Sequence, residues 1–171
     1  MRNAFVICGL GAALALSAAA SAWCDPKVDY SVKGEFAQSE YVATVRVTRT
    51  TWLGEDRRPK SLQGKLMLGS IPGGFDPYAG AYYRVTVLNL FKGKPLHHLS
   101  IFSENTEART PLRDGQRYLV FLFRVQQNDE DRKRGDLMID YCGNSATLES
   151  AAPLLAQLKG LQFKGGNSKS H

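Results

Sequence analysis

Cysteine is scarce in this chain of 171 residues, which has only Cys8, Cys24 and Cys142. So few exclude a disulfide-dense scaffold and a zinc site built from cysteine alone. Histidine is equally thin, and of the three the two neighbours His97 and His98 point to opposite faces of any strand that holds them. They do not share a metal in the usual way; one solvent-facing ring beside one at the core edge is expected. There is no Gly-x-Ser-x-Gly elbow, phosphate loop or zinc-protease helix motif. The acidic residues Asp25, Asp29, Glu35 and Glu40 form no paired-carboxylate signature and are expected on exposed faces. No catalytic residue, metal or cofactor is therefore expected, and the chain reads as a non-enzyme.

A membrane-spanning run is also missing. The longest apolar stretch, residues 4–16, falls short of the roughly 20 residues that cross a bilayer. It follows Arg2 and precedes small residues from Ser17 to Ala22, the order of an export signal with its exit at Ala20-Ser21-Ala22. Cleavage there leaves Trp23 first, removes Cys8 and leaves no transmembrane anchor. A lipoprotein exit would need a small residue before Cys24, where Trp23 is large. The expected locale is periplasmic or secreted. Two cysteines then remain, and since disulfides persist in such compartments, Cys24 and Cys142 are expected to form one.

What is present is a single domain's worth of chain. The net charge of +6 is compatible with anionic lipid, lipopolysaccharide or an acidic protein partner, although it mostly reports solubility. The densest charge run, residues 129–134, mixes signs and reads as a solvated loop tip.

Alternation with β-branched and aromatic residues dominates. Over residues 41–48, Tyr41, Ala43, Val45 and Val47 share one face against Val42, Thr44, Arg46 and Thr48, with Val42 the one apolar intruder; the strand is expected to run on toward Trp52. Residues 82–91 repeat the pattern and end at a Gly93/Pro95 turn, and 99–103 give a short third strand. After Asp114-Gly115, residues 118–125 are apolar but for Arg124, as in a strand buried on both faces. Residues 137–141 supply a fifth, ending at Cys142.

Helical signals flank the strands. Ser31 is expected to cap a short helix toward Ser39, weakened by Gly34. Over 147–158, Leu148, Ala151, Ala152, Leu155 and Leu158 fall at helical spacing; Thr147 is a cap candidate, but Pro153 favours a start near Ala151. The domain is expected over 23–161, and the segment 162–171, Gly/Asn/Ser/Lys-rich from Lys164, is expected to be disordered. Between the first two long strands, 54–81 is rich in Gly, Pro and charge, with a possible short strand at 65–68; Phe75 and Tyr78 stand beside its turn residues as candidate binding groups.

Mainly β, with five strands, a short N-terminal helix, a C-terminal helix and a disulfide from the front to the end of the last strand, the chain suggests a small closed Greek-key barrel of the OB type. Some residues also resemble a family. Tyr83-Arg84-Val85-Thr86-Val87-Leu88-Asn89-Leu90-Phe91-Lys92-Gly93 is similar to the strand ending in Phe/Trp-Lys-Gly of bacterial proteins like the tissue inhibitors of metalloproteinases (TIMP) and netrin-like domains. Gly115-Gln116-Arg117-Tyr118-Leu119-Val120-Phe121 resembles their Gly-x-x-Tyr-Leu-Val-Phe strand, and Cys142-Gly143-Asn144-Ser145 their closing segment. The resemblance implies an OB-like barrel and inhibition of zinc metalloproteases. Animal members chelate the catalytic zinc through the α-amine and carbonyl of an N-terminal cysteine held by a Cys-x-Cys start. This chain departs on both counts, because Asp25-Pro26 follows Cys24 and Trp23 precedes it.

The expected role is thus an exported, non-catalytic protein-binding module whose partner is an envelope protein or an exported hydrolase. The alternative is a hydrolase inhibitor acting through its N-terminal edge and loops without chelation. Candidate contact residues are Trp23, Asp25, Pro26, Phe75 and Tyr78. OB barrels also stack single-stranded nucleic acid on aromatics in a basic groove, and Tyr82, Arg84, Phe102 and Arg117 would serve if they shared the outer face. Export and the preference of strand aromatics for cores argue against a nucleic-acid partner.

Overall fold

The computed structural model describes residues 24–53, 58–60, 80–104, 112–128 and 132–166. The proposed leader, Trp23, the segments 54–57 and 61–79 with the suggested strand at 65–68, and residues 129–131 of the 129–134 charge run lie outside them. The elements in chain order are α1 (Val32–Gln38), β1 (Tyr41–Leu53), β2 (Pro59–Lys60), β3 (Gly80–Lys92), β4 (His98–Glu104), β5 (Arg117–Arg124), β6 (Leu137–Ile139), β7 (Ala146–Thr147) and α2 (Ala152–Gly166).

Five strands close into a barrel. β1 pairs with β3, β3 with β4, β4 with β6 in parallel, β6 with β5, and β5 with β1, every other contact being antiparallel. Counting only these five, the circuit is first, second, third, fifth, fourth and back to first, consistent with the expected OB-like Greek key. β2 extends β1 at Trp52 and Leu53, and β7 adds to β5 at Tyr118 and Leu119.

The period of two fills the barrel. Ala43, Val45, Val47, Tyr83, Val85, Ile101, Val120 and Leu122 are buried within one cluster. The opposite faces of β1 and β5 are not bare. Val42, Leu119 and Phe121 are buried with Phe91 and Leu158 in a second cluster, against which Val32 and Phe36 of α1 and Leu154, Leu155 and Leu161 of α2 pack. The apolar intruder at Val42 is thereby explained, as is the continuous apolar run of β5: its strand has the barrel on one side and helix on the other.

Local chemistry sets the ends of the elements. Ser31 Oγ accepts from the Gly34 N–H at 3.1 Å, capping α1, while Lys92 Nζ donates to the carbonyls of Phe36 and Ala37 at 2.8 and 2.7 Å and closes its other end. The α2 helix starts at Ala152, so Pro153 sits in its first turn, where its missing N–H costs nothing. Thr147 belongs to β7 rather than to a helix cap, and its carbonyl accepts from Ala151 N–H at 2.9 Å. At the far end, α2 continues to Gly166, into the segment that composition assigns to a tail. Leu161 packs on the helix-barrel cluster and Gln162 Nε2 donates to Leu90 O at 3.0 Å, so the barrel holds the helix there.

Strand β6 is shorter than its sequence pattern, stopping at Ile139 because Asp140 Oδ1 accepts from Cys142 N–H at 2.9 Å and turns the chain. Cys142 sits in that turn, bonded to Cys24 across 118 residues with a Cα–Cα distance of 5.8 Å. No helix among the described residues is long and apolar enough to cross a membrane.

Candidate functional site

Two surfaces hold the residues singled out above. At the first, the disulfide ties the front of the chain beside the β6–β7 turn. Asp25 and Pro26 lie together in an exposed turn, with Val28 N–H bonded to Asp25 O at 3.0 Å and Lys27 N–H to Asp25 Oδ1 at 2.9 Å. Trp23, Phe75 and Tyr78 lie outside the described residues.

Glu35 corrects an expectation here, for it is buried, with 7% of its surface exposed, rather than solvent-facing. Its Oε2 accepts from the Asn144 backbone N–H at 2.6 Å and from Asn144 Nδ2 at 2.8 Å, and the same Nδ2 donates to Tyr30 O at 2.8 Å. Burial pushes its carboxyl up from the ordinary value, against the pull of the Asn144 donors, and the Asp140 charge adds to the rise. Glu40, half-buried, forms a two-pronged pair with Arg124, Nε to Oε2 and Nη2 to Oε1 both at 2.6 Å, which holds its carboxyl below the usual range. Asp25 and Asp29 are exposed as expected.

The second surface is the outer face of β1, β3 and β4, beyond the reach of the helices. Here strict alternation fails in an informative way. Arg46 pairs with Thr86, but the register shifts between Val47 and Arg49, so that Thr48 is an extra residue and Arg49 comes opposite Arg84. Such a bulge re-aims the side chain that follows it. Thr48 Oγ1 donates to Arg84 O at 2.9 Å and pins the bulge. Without it, Arg49 would point with the barrel-lining residues; with it, Arg46, Arg49 and Arg84 share the solvent face, all exposed.

Arg49, Thr51, Tyr82, Arg84, His98 and Ser100 surround an open cavity of about 480 Å³. Arg46 also stands opposite Arg117 of β5, so two arginine pairs face each other across neighbouring strands, Arg46 with Arg117 and Arg49 with Arg84. Along β1 the two pairs are about 10 Å apart, three residues of strand. Like charges directly opposite one another destabilise a sheet. Among the described residues, no carboxylate lies within 4 Å of any of these four guanidinium groups. Arg117 and Glu149 line a separate small cavity beyond β5.

Of the four residues that a nucleic-acid reading nominates, Tyr82 and Arg84 share this face. Phe102 lies opposite Tyr82 with ring centroids 5.1 Å apart, but it is 1% exposed and belongs to an apolar cap with Leu53, Val125 and Met138. Arg117 is two strands away, on the far side of β1. Tyr82 Oη donates to Asp136 Oδ1 at 3.0 Å. His97 and His98 are both exposed, not one at the core edge, because the strand begins only at His98. His98 Nδ1 lies 3.4 Å from Thr86 Oγ1.

Sequence reasoning missed Arg46, Arg49, Thr51, His98 and Ser100 as a group. The arginines were visible in the chain, but their shared face depends on a bulge that no local residue announces. Among the described residues no three His, Cys, Asp or Glu side chains gather as a metal would require. The fold and face together define a disulfide-stapled five-stranded barrel with an open, arginine-bearing sheet surface. No family model matches the chain, and no curated protein is similar to it.

Proposed function

We propose that the protein is an exported, non-catalytic binding module that engages a protein partner through the outer surface of its barrel. One observation carries this reading: the bulge at Thr48 turns Arg49 outward against Arg84, an arrangement unfavourable within the sheet and useful to a ligand outside it. Small barrels of this architecture commonly use the face of the second and third strands of the five for ligands, and Arg84, Tyr82, His98 and Ser100 of this cavity lie on those strands. The disulfide supports export, since such bonds persist outside the cytosol.

Affinity capture with the oxidised mature protein tests the reading. A partner from the envelope or culture fluid should be retained saturably and released by excess free protein, while a panel of zinc and serine proteases keeps full activity. Dose-dependent loss of activity in one protease, abolished by changes at Trp23, Asp25 or Pro26, would select the inhibitor reading instead.

A further inference from the structure

We infer that the face formed by Arg46, Arg49 and Arg84, with Arg117 at its margin, binds an acidic peptide segment of the protein partner, its carboxylates seated on the arginine pairs. The inference rests on the binding-module reading and names the surface and the partner's chemistry.

The charge type is the first argument. All four cations are arginine, whose planar fork of donors fits a carboxylate through two parallel hydrogen bonds, which an ammonium cannot do. Each pair stands directly opposite across neighbouring strands, its two Cα atoms roughly 5 Å apart. An arriving carboxylate relieves the repulsion within the pair as well as adding its own contacts.

The layout then favours a peptide over a phosphate polymer. The charge is not a continuous stripe: Thr51, Tyr82 and Ser100 lie within the cavity beside Arg49 and Arg84, and the Tyr82 hydroxyl is bonded to Asp136. A backbone bearing a charge at every unit would bring unneutralised phosphate onto these neutral groups. A peptide with spaced Asp or Glu places charge over the arginines and leaves its amides for the Thr51 and Ser100 hydroxyls. The Tyr82 ring is packed obliquely on Phe102, at 46° between planes, and its hydroxyl is engaged, so it makes a poor platform for a base.

The test uses the oxidised mature protein and a fluorescein-labelled twelve-residue peptide of alternating Glu and Ser, read by polarisation at fixed ionic strength. A Lys/Ser peptide, a single-stranded oligonucleotide, polyphosphate and phosphatidylglycerol vesicles serve as rival probes. Saturable binding of the Glu/Ser peptide above all rivals is expected, weakened about tenfold or more by R49E or R84E and unchanged by K159Q, which removes an exposed cation of α2. Circular dichroism melts establish that the variants are folded, and R49Q with R84Q provides a milder pair should charge reversal unfold the barrel. Equal affinity of wild type and these variants overturns the inference, as does tighter binding to the oligonucleotide, polyphosphate or vesicles. If a partner is captured yet R49E and R84E retain it fully, this inference fails while the binding-module reading stands; if no partner is captured, that reading fails.

Discussion

The carboxylate of Glu35 in α1 holds Asn144, 109 residues further along, by two hydrogen bonds of 2.6 and 2.8 Å through one oxygen. This clamp fixes α1 against the turn that carries Cys142. Its neighbours have been shaped around it: a methyl group on Gly143 would lie 2.0 Å from Glu35 Oε1. Glu35→Ala takes the acceptor from the half-buried Asn144 N–H and leaves its Nδ2 with Tyr30 O alone, and should cost about 1–3 kcal/mol in urea unfolding. An unchanged midpoint would show that α1 is held by its apolar face alone.

The same carboxyl makes stability depend on pH. Its folded value is raised above the ordinary 4.5, so the folded state binds the proton more tightly than the unfolded chain. Stability is then greatest below the ordinary value and declines as pH rises through the folded one. Glu35→Gln removes this titration while keeping an acceptor for Asn144. The stability of the variant relative to wild type should therefore increase with pH across that window; a constant difference from acid to neutral would contradict the assignment.

The disulfide closes a loop of 118 residues, for which chain entropy gives an upper figure of roughly 4–5 kcal/mol. That rivals the net stability of a typical domain, about 5–15 kcal/mol. Cys142→Ser should lower the melting temperature sharply, and reductant should do the same to wild type but not to the variant. Superimposable melts would mean that the Glu35–Asn144 clamp suffices to hold the ends.

The like-charge pair predicts a gain. Arg84→Thr removes repulsion with Arg49 and places a β-branched residue, itself favoured in strands, on an exposed position. Stability should rise by about 0.2–1 kcal/mol in denaturant titration. A loss instead would mean that the Arg84 stem packs on the sheet more than its charge repels.

The contrast between what the chain announces and what it conceals lies in range. Alternation over 41–48 and 82–91 located β1 and β3, and the unbroken run before Arg124 correctly implied a strand covered on both sides, because each signal is written in consecutive residues. Glu35 and Arg49 were misread or missed for the opposite reason. The burial of Glu35 is decided by Asn144, and the outward aim of Arg49 by a register shift against β3; neither partner is near in sequence. Asp140 ended β6 early through a side chain that the strand pattern does not weigh.

Gly34 sets propensity against packing. In an exposed helix, Gly→Ala is worth roughly 1 kcal/mol of added stability, which is why glycine here weakens the expectation of α1. Yet Gly34 is buried, and a methyl group on it would lie 2.2 Å from Asp29 Cγ and 2.6 Å from the Asp29 carbonyl oxygen. The Asp29 side chain is itself occupied, its Oδ1 accepting from Ser31 N–H at 2.9 Å just ahead of the cap. Backbone cannot give way as a flexible side-chain end would, so Gly34→Ala should destabilise the protein by about 1–3 kcal/mol despite its better helix propensity. A rise in the unfolding midpoint would show that the turn before α1 yields readily and that the close approach does not shape this end of the molecule.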